Sequence, residues 1–330
     1  MRQVGVGVIG VGAMGEQHVQ AYRRNPLAKL VAVADVAEAR AKEIGAKYGV
    51  TAYTDMRPLL SRDDVQAVSI CTSDHLHVEP TLQALAAGKH VLLEKPIATT
   101  LADADRIIAA ARQAGVKFMV GHIVRFDPRY AKVKEMIDAG ALGELETIFA
   151  RRLNLAAAQN VLKGRVSVLS FLGVHDFDIM RWMAGSDAVR VHTEAESRLL
   201  KSRGYDVEDM TFTLVRFANG VIGCAEIGWI LPDNHPRRAD FKLEAIGTKG
   251  VASVDLLEQG LYVCTEREGF QRPSFGHSID AEVAHFMDCV LRDQTPLVSG
   301  EDGRAALEMS LAAQKSARTG EVVTLPLDTA

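Results

Sequence analysis

The stretch VGVGVIGVGAMG, residues 4–15, constrains this chain more than any other part of it. Residues 4–9 are apolar and β-rich, and Gly10, Gly12 and Gly15 follow at once in G-x-G-x-x-G spacing. EQHVQAYRRN continues as a polar, helix-compatible run that stops before Pro26, and a second apolar run, LVAVAD, ends on Asp35, twenty residues after Gly15. Strand, glycine turn, helix, strand and acid in this order predict a dinucleotide-binding unit. The glycines allow a tight turn and close backbone approach, the helix N-terminus holds a pyrophosphate, and the acid accepts hydrogen bonds from the adenosine ribose diol. Gly10, Gly12, Ala13, Met14, Gly15 and Asp35 are therefore cofactor-binding candidates. A carboxylate at Asp35 repels a 2′-phosphate, which favours NAD over NADP. Arg40, a few residues into the next helix, is open to stacking on adenine, although a solvated helix face is the plainer role.

The alternation continues through a helix near 37–48, the strand AVSICT, a helix near 79–87, the strand HVLLE, a long helix from TLADADRIIAAARQAG, and KFMVGH. Strands alternating with helices predict a parallel doubly wound sheet, whose ligands sit beyond the carboxyl ends of the strands. Those ends carry Asp35, Thr72-Ser73-Asp74, Glu94-Lys95-Pro96 and His122 to Arg125. The abrupt stop of VLLEKPIAT at a carboxylate, an ammonium and a proline thus falls on the ligand edge.

Beyond about residue 121 the pattern changes. A helix near 128–139 leads to the strand ELETIFARRLN, where Arg151, Arg152 and Asn154 are possible substrate contacts. A helix over 167–184 follows, then strands near 188–198, 208–218 and 221–231, the last two joined by Asn219-Gly220, a strong hairpin signal. Strands in succession imply a largely antiparallel sheet. The expected fold is α/β: an N-terminal Rossmann domain over 1–122, and an α+β substrate-binding and oligomerisation domain over 123–330 with a largely antiparallel open sheet. The C-terminal helices are free to pack back on the first domain. The loop ILPDNHPRR, residues 230–238, fits either a lid or a plain surface loop.

Composition narrows the function classes. The chain has 330 residues, 48% hydrophobic and 24% charged, with a formal net charge of -4 and no basic block. Nucleic acid and anionic membrane are not expected partners. No apolar run approaches the roughly 20 residues needed to cross a bilayer, and MRQVGVGVIG reads as a first strand rather than a signal peptide. Four widely spaced cysteines without a CxxC pair fit free thiols in a cytoplasmic protein.

In GVIGVGAMG, CTSDHLHVEPTLQALAAGKHVLLEKPIATT, VGHIVRFDPRY, AGALGELETI, LGVHDFDIMRWMAG, VEDMTFTLVRFANGVIG and LEAIGTKG, taken in order, the chain resembles the glucose-fructose oxidoreductase/inositol dehydrogenase family. The resemblance implies that Lys95 touches both the nicotinamide ribose and the substrate hydroxyl, and that Glu94 helps to place that ribose. It sets Thr72 and His77 beside the cofactor and Arg125 at the substrate and nicotinamide edge. Pro96 would turn the chain out of the strand, with a cis peptide open to it. Asn154 would touch the sugar, and His175 would be the general base, a role its unperturbed pKa of about 6.5 suits. Independently of the resemblance, a cation beside a reacting hydroxyl stabilises developing alkoxide charge, and a nearby base takes the proton.

One position departs from the family pattern. Where the sugar and inositol dehydrogenases usually place an aspartate, one helical turn before the histidine, this chain has Phe171, whose ring favours an apolar or sugar-ring surface. Asp178 resembles the acid of the H-x-x-D step, which orients His175 or binds a substrate hydroxyl; Asp176 reads as an exposed helix residue. His175, Asp176 and Asp178, or His75 with His77, lack further metal ligands at a recognisable spacing, so no metal is expected.

The sequence thus reads as an NAD-dependent dehydrogenase that oxidises a secondary or anomeric hydroxyl of a cyclitol or sugar, with hydride passing to nicotinamide C4. It is expected to form a homodimer or homotetramer through the C-terminal sheet. Two other readings stay open: an NADPH-dependent keto-sugar or nucleotide-sugar reductase, which Asp35 opposes, and a non-catalytic NAD-binding sensor, for which Phe171 speaks.

Overall fold

The structure, a computed structural model, describes residues 2–255, 260–273 and 277–328, with residues 271–273 described by backbone only. The chain divides into two compact units, one of residues 1–126 and 277–304, the other of 127–276 and 305–330.

The first unit holds six strands: β1 (Val4–Ile9), β2 (Ala28–Ala34), β3 (Thr51–Tyr53), β4 (Ala67–Ile70), β5 (His90–Glu94) and β6 (Phe118–Gly121). They form one sheet in the order β3-β2-β1-β4-β5-β6, parallel throughout. All six residues of β1 and all four of β4 are buried, as expected of parallel strands covered on both faces. The helices are α1 (Ala13–Arg24), α2 (Glu38–Tyr48), α3 (Met56–Leu60), α4 (Val78–Ala86) and α5 (Leu101–Ala114). The side chain of Thr100 caps α5 at its start and Gly115, at φ +64, closes it. The short β3 and α3 went unread in the sequence because three and five residues carry too little periodicity.

The second unit contains α6 (Pro128–Asp138), β7 (Leu145–Leu155), α7 (Gln159–Leu162), α8 (Val174–Ala184), β8 (Ala188–Glu196), α9 (Leu199–Ser202), β9 (Met210–Phe217), β10 (Ile222–Leu231), β11 (Ala239–Gly247), β12 (Gly250–Asp255), β13 (Gly260–Thr265) and β14 (Gly269–Pro273). Two further helices, α10 (Ser278–Arg292), in the first unit, and α11 (Gly300–Thr319), precede β15 (Val323–Thr324). The nine-stranded sheet runs β14-β13-β12-β11-β7-β10-β9-β8-β15, antiparallel except for the β7–β10 pair. The Asn219-Gly220 hairpin joins β9 to β10, with Gly220 at φ +94, where a side chain would be strained.

The helix expected over 167–184 is not a single α-helix. Leu169–Gly173 form a π turn, and the regular helix α8 begins at Val174. The local cause is side-chain competition: the Ser167 hydroxyl accepts from the Leu169 N–H, and the Ser170 hydroxyl donates to the Ser167 carbonyl, so two serines draw on groups a regular first turn would use. Cys71, Cys224, Cys264 and Cys289 are free. Among the described residues, no helix is long and apolar enough to cross a membrane.

Candidate active site

In the first unit the carboxyl ends of β1, β2 and β4 surround a cavity of about 730 Å³ lined by Gly10, Gly12, Asp35, Asp55, Thr72 and His75, with apolar walls that include Met56 and Leu76. The three glycines behave differently. A Cβ on Gly15 would lie 1.9 Å from the Gly10 carbonyl oxygen, and one on Gly10 would lie 2.7 Å from the Thr72 nitrogen, so neither admits a side chain. A Cβ on Gly12 would meet nothing within 4 Å, so the space above it is open to a close-approaching ligand. Gly12 is also the N-cap of α1, with no side-chain cap, which leaves its first amides directed outward. Ala13 and Met14 form the first turn of that helix.

Asp35 is held from both sides: Oδ2 accepts from the Val11 N–H and Oδ1 from the Ala37 N–H, each at 2.9 Å. A carboxylate fixed in this way still has lone pairs for a ribose diol. Arg40 has neither of the roles expected for it. Its Nε donates to the Val11 carbonyl, and Nη2 pairs with Glu16 at 2.6 Å, so the guanidinium braces the glycine loop from below. Lys47 donates to the same Glu16 carboxylate at 2.7 Å, as does the Tyr48 hydroxyl. The Lys47, Arg40 and Tyr48 contacts, Lys47 foremost, lower the Glu16 carboxyl to about 2. These residues fit the adenosine and pyrophosphate parts of a dinucleotide.

The second feature of this unit is the end of β5. Glu94 is 6% exposed, and its Oε1 lies 2.9 Å from His18 Nε2, while Oε2 accepts from the Lys95 N–H at 3.3 Å. Burial pushes the Glu94 carboxyl up, but the hydrogen bond and charge of His18, with Lys95 adding, bring it below its ordinary value. The Lys95–Pro96 peptide is cis. His77, 1% exposed, ties two motifs together: Nδ1 lies 2.7 Å from the Pro96 carbonyl and Nε2 lies 3.1 Å from the Thr72 carbonyl. Both contacts are donations only if the ring is protonated, yet burial lowers its pKa. A neutral tautomer donates through the shorter Nδ1 contact to the Pro96 carbonyl and leaves Nε2 without a proton to give to the Thr72 carbonyl. His77 thus acts on the Pro96 turn through its carbonyl. Arg125 is 3% exposed; it donates to the Leu297 carbonyl at 3.3 Å and pairs with Asp302 at 3.4 Å.

In the second unit, His175 and Asp178 lie on α8, and Phe171 lies in the π turn before it. His175 is half-buried, whereas Asp178 is 1% exposed. The Phe171 ring sits 6.0 Å from that of Trp229, which is fully buried and pairs in register with Asn154 across β7 and β10. Phe171, Trp229 and Asn154 therefore share one neighbourhood. The Trp229 indole N–H has no hydrogen-bond partner among the described residues.

Asp176 is not an exposed helix residue. It is 1% exposed and makes a two-point ion pair with Arg152 on β7, at 2.7 and 3.1 Å. The Phe241 ring covers that guanidinium at 4.5 Å. Burial raises the Asp176 carboxyl and Arg152 only partly draws it back, while Asp176 raises Arg152 against its own desolvation. The residue after His175 is thus anchored to the sheet. Arg151 is engaged with Glu226 at 2.6 Å and with Asp240 at 3.3 Å. In the loop after β10, Asp233 accepts from the Ala157 N–H at 3.0 Å.

The sequence reading passed over His18, Ser69, Tyr22 and Glu282. A signal for the helical ones was present: His18 and Tyr22 are four residues apart on α1, and Glu282 interrupts the apolar face Ile279, Val283, Phe286 of α10.

The comparisons with known proteins cover nearly the whole chain. The model of an oxidoreductase family with an NAD-binding Rossmann fold, GFO_IDH_MocA, matches residues 4–122, and that of the GFO/IDH/MocA C-terminal domain matches residues 130–253. Myo-inositol 2-dehydrogenase of Thermotoga maritima is 30% identical, over 94% of this chain and 95% of its own length. Scyllo-inositol 2-dehydrogenase (NAD(+)) of Bacillus subtilis is 28% identical, over 98% of this chain and 96% of its own. The crystal structure of an oxidoreductase domain protein from Kribbella flavida superposes with a TM-score of 0.89 at 26% identity, covering 99% of this chain and 100% of that one.

Proposed function

This chain belongs to the GFO/IDH/MocA oxidoreductase family and is an NAD-dependent dehydrogenase; on that premise we propose that it oxidises a secondary or anomeric hydroxyl of a cyclitol or sugar. The observation that carries this reading is the end of β5, where Lys95 leaves a strand whose last carboxylate is held by His18 and whose proline turn is held by His77. The substrate class rests on the full-length likeness to inositol dehydrogenases.

Bound NAD supplies the hydride acceptor at nicotinamide C4. In this reading Gly10 to Gly15 and the α1 amides hold its pyrophosphate, Asp35 its adenosine ribose, and Thr72, His77 and Glu94 the far end of the site. Lys95 stands beside the reacting oxygen and offsets its developing negative charge. His175 removes the hydroxyl proton, with Asp178 orienting it or holding a second hydroxyl. Arg125 and Asn154 complete the substrate side. Phe171, tilted against Trp229, offers an apolar wall that suits a ring face rather than a second charge.

A second copy of the chain is the partner this reading includes. Phe212, Leu214, Ile222, Ile246 and Tyr262 are each 41–53% exposed on β9, β10, β11 and β13, an apolar set that suits a homodimer or homotetramer.

The direct test is reduced-nicotinamide absorbance with purified protein, NAD or NADP, and a panel of inositols, polyols and aldoses. Turnover of an inositol or aldose with NAD, at higher kcat/KM than with NADP, is expected. Tight NAD binding with no turnover across the panel, and none with keto-sugars and NADH, overturns the dehydrogenase assignment in favour of a sensor.

A further inference from the structure

Behind the end of β5 the first unit buries a polar cluster drawn from four elements. α1 contributes His18 and Tyr22, β4 contributes Ser69, β5 contributes Glu94 and α10 contributes Glu282. Four of these side chains are fully buried and Glu94 is 6% exposed. Tyr22 Oη lies 2.7 Å from Ser69 Oγ, Ser69 Oγ lies 3.1 Å from His18 Nδ1, and His18 Nε2 lies 2.9 Å from Glu94 Oε1. Every member of that chain has a partner. Glu282 does not: among the described residues, neither of its carboxyl oxygens has a hydrogen-bond partner. Yet one oxygen of Glu282, one of Glu94 and one nitrogen of His18 all lie within 4.8 Å of one another.

Two ionised carboxylates that close in a buried interior repel strongly. Among the described residues, the elements packed on α10 show no cation paired with the second one. α10 packs on α1, on β1 and on residues 123–126. From α1 it meets His18, already bonded to Glu94, and Tyr22. β1 is wholly apolar. From 123–126 comes Arg125, which donates to the Leu297 carbonyl and pairs with Asp302. Cys71 beyond β4 is a buried thiol, raised chiefly by burial. On α10 itself, Asp280 pairs with Arg24 at the surface, and His285 accepts from the Leu297 N–H. Burial, with the Glu94 charge adding, pushes the Glu282 carboxyl well above its ordinary value.

We propose that Glu282 is a positioning residue for the hydride-transfer site: it remains a neutral carboxylic acid while Glu94, bonded to His18, carries the charge. The strand end bearing Lys95 then has one negative charge behind it rather than two. This inference rests on the reading of Lys95 as the group at the reacting oxygen. A second charge beside Glu94 would weaken Lys95's stabilisation of developing alkoxide, so loss of the Glu282 proton depresses turnover on the alkaline side.

Infrared spectroscopy on the full-length protein carrying glutamate labelled with ¹³C at the side-chain carboxyl reads the proton directly. At neutral pH a buried acid carbonyl band that shifts with the label is expected in the wild type and is absent in Glu282→Gln. An ionised Glu282, whether bare or holding a cation with His18 and Glu94, gives no such band and overturns the proposal. Thermal melts add the linkage. The unfolded chain releases this proton in the ordinary glutamate range while the folded chain keeps it, so wild-type stability falls as pH rises above that range. Glu282→Gln should therefore melt higher than wild type at neutral and alkaline pH, and the two should converge near pH 4. In kinetics, Glu282→Leu should lower kcat/KM about tenfold, as loss of a supporting residue does. Glu282→Gln should restore most of that loss and should lack the wild-type alkaline limb. A Gln variant that keeps the limb overturns the proposal. Wild-type turnover by Lys95→Ala would instead remove the reading of the site while leaving the infrared result standing.

Discussion

Asp176 in the second unit and Glu282 in the first are buried to the same depth, 1% and 0% exposed, and the fold neutralises them by different means. Asp176 has a two-point partner in Arg152 under the ring of Phe241. Glu282 has no hydrogen-bond partner among the described residues and sits beside a second acid. One charge is cancelled by an opposite charge, the other by a proton. The first solution is a two-point ion pair between α8 and β7, and it anchors the helix that carries His175. The second leaves a group whose state follows solution conditions, next to the strand that carries Lys95.

The largest effects should come from the two groups these acids support. Lys95→Ala and His175→Ala should each lower kcat by about 10²–10⁴, with circular dichroism and melting close to wild type. A loss in one variant alone would leave only one of the two regions in the chemistry. The next effect separates the two acids. Asp176→Asn strands Arg152 in the interior and should cost about 3–5 kcal/mol in denaturant unfolding, whereas Glu282→Gln gains stability at neutral pH. Equal losses in both would erase the contrast between them. The smallest effect concerns an acid outside both clusters. Glu16, lowered to about 2 by Lys47, Arg40 and Tyr48, contributes stability above the ordinary glutamate pKa, and that contribution is lost as pH falls from about 4.5 towards 2. Glu16→Gln should cost about 1 kcal/mol or less at pH 7 and flatten the acid limb of the melting curve in that window. An unchanged acid limb would show that the Glu16 network does not contribute.

The legible parts of the fold were those whose cause is local. Gly10, Gly12, Gly15 and Asp35 are readable because a tight turn and close backbone approach, with the ribose contact we propose for Asp35, each demand a residue type at a fixed spacing. The parallel sheet follows from unbroken apolar runs separated by helices, and the β9–β10 hairpin from Asn219-Gly220. Arg40 and Asp176 were misread for one shared reason: a charged residue on a helix is assigned to solvent unless its partner is known. Their partners, Glu16 and Arg152, are 24 residues away in each case. The π turn before α8 was hidden too, since Ser167 and Ser170 compete for backbone groups only in a particular side-chain geometry.

Spacing along the chain was therefore enough to establish a Rossmann unit and a largely antiparallel second unit. It could not say which ionisable groups meet. His18, Ser69, Glu94 and Glu282 come from positions spread over more than 260 residues, and none of them is marked by a local pattern strong enough to join it to the others. Hydrogen bonding and charge repulsion act over a few ångströms of space, whatever the separation in sequence, so whether a carboxyl is paired, exposed or protonated is settled when the helices and strands close on one another.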